Sequence, residues 1–174
     1  MNFLKSLFGA KATPTDSWPI FPPATPMLDL AKETAGPLRF NTPFTEAQVF
    51  GRPDECRGNP AKNGHLDYVR AGFSLEYEAG LLVFVTYFIG PDEFAPKHEA
   101  LIHSRPQILA PNRPPGEIHA DSTAEDLVAV FGPPESAEVE ENESILTWSF
   151  GNLTVEAELG DQAHMRRLNV FLTR

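Results

Sequence analysis

The stretch Val49–Glu55 (VFGRPDE) returns as Val130–Ser136 (VFGPPES), 81 positions further on. Setting the two copies side by side extends the match well past that stretch. Thr42 corresponds to Thr123, and Phe50-Gly51 to Phe131-Gly132. Leu66/Leu146, Tyr68/Trp148, Phe73/Leu153, Leu75/Val155 and Gly80/Gly160 then pair at a separation of 80. Val83–Ile89 (VFVTYFI) matches Arg166–Leu172 (RRLNVFL) after a few extra residues. An ordered series of stops, strands and gaps is the mark of a supersecondary unit written twice. It restricts the fold to what two such units can build together.

Each unit has the same physical pattern. Thr123 or Ser122 is placed to cap a helix, with Glu125 and Asp126 in the first turn, where the helix dipole favours carboxylates. Leu127, Val130 and Phe131 give that helix an apolar stripe. Gly132 stops it, and Pro133-Pro134 prevents its continuation. Three strands with period-two alternation follow. In the second unit the expected core face is Leu146/Trp148/Phe150, Leu153/Val155/Ala157 and Leu168/Val170/Leu172. In the first it is Leu66/Tyr68, Phe73/Leu75/Tyr77 and Val83/Val85/Tyr87/Ile89. The pattern predicts an α+β fold: two tandem helix-plus-antiparallel-meander units forming a shared or paired sheet, with helices on one face.

Proline divides the rest. Thr13–Pro26 holds five prolines, which remove donors and fix φ, so it reads as an extended arm lying on the domain. Phe3, Leu4, Leu7 and Phe8 share one face of a short helix ahead of it, stopped by Gly9, and a second short helix is expected over Met27–Thr34. Pro91–Pro115 holds six more prolines and reads as a linker. The expected organisation is therefore 1–36, N-terminal helix and arm; 37–90, first unit; 91–115, linker; 116–174, second unit.

The tandem capped helix ending in Gly-x-Pro, followed by a meander, resembles β-lactamase inhibitory protein. It also resembles the single-unit small-protein-A lipoproteins of outer-membrane assembly. The likeness spans roughly Gly36–Arg174. Two-unit cytoplasmic proteins of this kind resemble immunity proteins that neutralise bacterial toxins, and the resemblance implies that role here.

Charge narrows the partners. The 24 Asp+Glu against 14 Lys+Arg give a net charge of -10, which repels nucleic-acid phosphates and attracts basic proteins. Cys56 is the single cysteine, so no intrachain disulfide forms and a reducing compartment fits. The apolar start is short and broken by Lys5, unlike a signal peptide. No run approaches the roughly 18 apolar residues of a membrane span. The expected location is cytoplasmic.

The candidate chemistry is sparse. His98 and His103 in HEALIH stand five apart and diverge by about 140° around a helix, so no zinc site is expected. Cys56 lies beside Asp54 and Glu55, which oppose a reactive thiolate. No catalytic residue and no cofactor is assigned. Alternation places Asp67, Ser74, Glu76, Glu78, Phe84, Thr86 and Phe88 on the face opposite the core, with Thr147, Ser149, Thr154, Glu156, Glu158, Asn169 and Phe171. Acidic residues there flank phenylalanines with no helix to bury them. Glu76, Glu78, Phe84, Phe88, Glu156, Glu158 and Phe171 are the candidate partner-binding residues. They predict a protein-binding module, an immunity or inhibitor protein occluding a basic target such as a toxin. An assembly protein that self-associates through the same sheet is the alternative. An enzyme has no constellation behind it.

Overall fold

Sustained two-residue alternation becomes strand. The computed structural model describes residues 12–20, 22, 24–92, 97–140, 143–160 and 164–173; the helix expected from Phe3 to Phe8 lies outside them. In chain order the strands are β1 (Leu28–Asp29), β2 (Thr34–Ala35), β3 (Leu38–Arg39), β4 (Glu55–Asn59), β5 (Asn63–Tyr68), β6 (Phe73–Glu78) and β7 (Leu81–Phe88). There follow β8 (Gln107–Leu109), β9 (Gly116–Glu117), β10 (Ser136–Val139), β11 (Glu143–Phe150), β12 (Leu153–Gly160) and β13 (Met165–Leu172). The α-helix α1 (Ala124–Phe131) precedes β10, and a 3-10 helix over Phe44–Phe50 precedes β4.

The large sheet has eight strands in the order β10-β11-β12-β13-β7-β6-β5-β4. Two antiparallel meanders, β4 to β7 and β10 to β13, meet where β13 pairs with β7, with Phe171 opposite Phe84, Asn169 opposite Thr86 and Arg167 opposite Phe88. The β6–β7 hairpin turns on Ala79 and Gly80, both at positive φ (51° and 80°), the left-handed geometry that matches strand twist in a two-residue turn. A register shift after Glu76 sets Tyr77 opposite Leu82. Leu82 is consequently buried, and Val83, expected in the core, is only partly so. The other anticipated core residues of the meanders are buried or packed against the buried cluster.

The fold is mostly β, with 43% strand, and corrects the expected α+β arrangement with helices covering one face. Helix α1 is eight residues long, held by a capping box in which Thr123 and Asp126 bond each other's backbone N–H. Phe44–Phe50 has Pro43 at the capping position, with no side-chain acceptor, winds as a 3-10 helix and buries only Ala47. Two such short pieces cannot cover an eight-stranded sheet. Residues 28–39, after the arm, join β8 of the linker and β9 just beyond it to supply the remaining cover as a second sheet, ordered β3-β2-β1-β8-β9. Leu28 pairs antiparallel with Ala35 and parallel with Ile108, and all three join the core cluster.

The helix expected over Met27–Thr34 is likewise replaced by β1 and β2. Asp29 accepts a hydrogen bond from the Lys32 N–H at 3.1 Å, which starts a reversal, and Glu33 and Gly36 take positive φ around β2. The linker is pinned to the end of β7. Ser104 donates its N–H to the Phe88 carbonyl at 2.7 Å, and Ile102 to that of Val69 at 2.9 Å. A Cβ at Gly72 would lie 2.3 Å from the Ile102 carbonyl oxygen, so only glycine permits this approach.

Candidate functional site

One face of the large sheet is filled by the aromatic core; the other carries the polar half of each alternating strand. Across its middle run Glu156, Asn169, Thr86, Ser74, Asp67 and Glu55, each opposite the next on neighbouring strands. Several form buried ionic groups. Asp67 is fully buried, and Arg57 grips both of its oxygens, Nε at 2.5 Å and Nη2 at 3.0 Å, while Ser74 donates its hydroxyl to the same carboxylate. Glu158 is buried between Arg167 and Asn169, each donating to one of its oxygens. Burial pushes the Glu158 carboxyl up, with Arg167 opposing it. Arg167 also reaches the nearly buried Asp92 at 3.4 Å.

Four of the seven candidate residues share one concavity. Glu76, Glu78, Phe84 and Phe171 line a groove of about 600 Å³ together with Val83, Thr154, Leu172 and Thr173. The Phe84 and Phe171 rings stack with centroids 5.1 Å apart and planes 9° from parallel, so the β7–β13 seam forms its aromatic floor. Glu156 lies on the same face, half-buried, and its carboxyl is pushed up by burial and then by the charge of Glu138. Phe88 and Glu158 lie on the predicted face but are buried, the first where the linker bonds β7, the second in its ion pair. Neither offers the exposed surface a protein partner needs, although Phe88 still borders a small cleft. Asp67, Ser74 and Asn169 are also buried on this face, each in a hydrogen bond.

Sequence reasoning missed Arg57, Lys97 and His98, which line a neighbouring polar cleft with Glu76 and Phe84. Arg57 shares a face with Glu55 on β4, an edge strand with no apolar pattern to reveal it. Lys97 and His98 belong to the proline-rich linker, where no periodicity assigns a face.

Cys56 is half-buried, and its thiol is pushed up by desolvation and by the nearby Asp67 charge, with a Thr15 hydrogen bond acting the other way. A raised pKa means less thiolate at every pH below it. Cys56 is expected to react with iodoacetamide at pH 8 several-fold more slowly than glutathione, and to recover the glutathione rate in denaturant. Faster reaction in the native protein would assign it an activated thiol. Among the described residues, no three His, Cys, Asp or Glu side chains group as a metal site, and no helix is long and apolar enough to cross a membrane.

The fold and face define a mostly-β protein with an open, acidic and aromatic sheet surface. No family model matches the chain, and no curated protein does. Among solved structures it is similar to a DUF4309 family protein (YjgB) from Bacillus subtilis subsp. subtilis strain 168, at 14% identity and a TM-score of 0.51. The likeness covers 80% of this chain and 84% of that one, and it bears on the fold alone.

Proposed function

We propose that the chain is a protein-binding module working in the cytoplasm, an immunity or inhibitor protein that occludes a basic target such as a toxin. The observation that carries this reading is the groove in which Glu76 and Glu78 rim the stacked Phe84 and Phe171. Aromatic anchors within a charged rim are the usual energetic core of a protein interface. A lysine or arginine laid over the rings gains cation–π attraction and two carboxylates. Self-association through this face would set Glu76, Glu78 and Glu156 against their own copies, so like charges disfavour it. The likeness to β-lactamase inhibitory protein and the reading of the two meanders as a duplicated unit belong to this proposal.

The test is to isolate a partner on the tagged protein and measure both rate constants at two salt concentrations. Reversing Glu76 and Glu78 to lysine is expected to slow association about tenfold and flatten its salt dependence. Phe84→Ala with Phe171→Ala is expected to speed dissociation about 10- to 100-fold with association little changed. Affinity should also fall as pH drops through the mildly acidic range. Glu156 is held above the usual carboxylate range, and its protonation removes a charge the basic partner needs. A partner whose rates are unmoved by both sets of changes binds elsewhere, and the reading fails.

A further inference from the structure

The open face carries a second concavity, a cleft of about 370 Å³ beside the aromatic groove. Arg57, Lys97 and Arg167, the last already paired with Glu158, line it with Glu55 and with Glu76, which has His65 at 3.9 Å; Phe84 and Phe88 give it an apolar side. Its size is near the lower end of small-molecule sites, too small for a folded segment of another protein. Opposite charges on one small concavity suit a ligand that carries both. A simple anion would meet Glu55 and Glu76, and a simple cation would meet Arg57 and Lys97.

The cleft is also pre-set. Asp67, buried beneath it and braced by Ser74, takes the Nε and one Nη2 hydrogen of Arg57 and so fixes the guanidinium. The Arg57 side chain remains 48% exposed, and among the described residues three of its five N–H donors are left for a ligand. Glu55 is two residues away on the same strand face, at a spacing of about 7 Å. Glu76 shares a cross-strand row with Arg57, one strand further on through His65, about 10 Å away at the backbone. Side chains reaching inward from those positions close on a ligand whose charges are a few ångströms apart.

The geometry points to a binding site for a small zwitterion of the α-amino-acid class. Its carboxylate sits on the Arg57 guanidinium, its ammonium between Glu55 and Glu76, and its side chain against Phe84 and Phe88. The site does not depend on the protein-binding reading. Because Glu76 and Phe84 border both concavities, occupancy of one would be felt at the other.

The test is a titration of the 15N-labelled protein with each proteinogenic amino acid. The bound amino acid is then compared with its N-acetyl form, its amide, and inorganic phosphate. Saturable shifts at Glu55, Arg57, Glu76 and Phe84 are expected for the free amino acid, with both blocked forms at least about tenfold weaker, as loss of one charged contact implies. Glu55→Gln, at an exposed position that leaves the Asp67–Arg57 pair intact, should weaken the free amino acid and the amide but spare the N-acetyl form. Arg57→Gln should do the converse. The proposal is overturned if no amino acid saturates in the millimolar range, if phosphate binds as well, or if the blocked forms bind equally.

Discussion

Trp148→Ala is expected to lower the free energy of unfolding by about 3–5 kcal/mol, the usual loss for a large buried aromatic. The indole lies on the core face of β11, almost fully buried. Its Nε1 donates to the Gly132 carbonyl at 2.9 Å, and its ring centroid is 4.9 Å from that of Phe131. Truncation therefore opens a cavity and also orphans an acceptor at the place where α1 ends. Trp148→Phe keeps most of the packing and loses only the hydrogen bond, so its cost should fall well below that of alanine. Ser149→Ala, next along the strand and on the exposed face, should change stability by less than about 0.5 kcal/mol. Urea midpoints of the three variants check this ordering. A wild-type midpoint for Trp148→Ala would mean that β11 presents its other face to the core.

That face was legible because β11, β12 and β6 are long enough for alternation to register. Leu153, Val155 and Ala157, or Phe73, Leu75 and Tyr77, repeat a period of two with nothing to interrupt it. The second sheet was not legible. Its strands are two or three residues long, too short for any period, and the pairing of Leu28 with Ile108 joins segments brought together only by the fold. Local signals misled at Phe44–Phe50, where Glu46 and Gly51 look like a helix start and stop. Thr42, the residue matched to the Thr123 that caps α1, instead donates its hydroxyl to the Arg39 carbonyl; Pro43 stands at the capping position, and the uncapped turn tightens to 3-10. At the candidate site, alternation put Glu76, Glu78, Phe84 and Phe171 on the face opposite the core, but only the β7–β13 pairing makes the two rings touch. The same alternation could not show that Glu158 closes on Arg167, because face and accessibility are separate properties of a strand residue.

Arg57→Ala is expected to cost about 3–5 kcal/mol, and Asp67→Ala less, though the two residues share one interaction. The asymmetry comes from burial. Removing Arg57 leaves the fully buried Asp67 carboxylate with the Ser74 hydroxyl as its one remaining hydrogen-bond donor among the described residues, and an uncompensated buried charge is heavily penalised. Removing Asp67 leaves a guanidinium already 48% exposed, which water can solvate. The double variant should be about 1–3 kcal/mol more stable than the sum of the single losses, because the second change removes the charge that the first stranded. Chemical denaturation of all four proteins measures that coupling. A further pair, Arg57→Met with Asp67→Leu, separates stability from function. Apolar groups of similar size often match or exceed a buried ion pair in stability, so this variant should fold at least about as well as the alanine pair. It should nevertheless lose the amino-acid-dependent shifts, since no guanidinium then faces the cleft. If it keeps them, Arg57 is not the carboxylate's anchor. If instead the double-alanine loss equals the sum of the singles, Arg57 and Asp67 act independently, and the buried carboxylate is held by some group other than the arginine beside it.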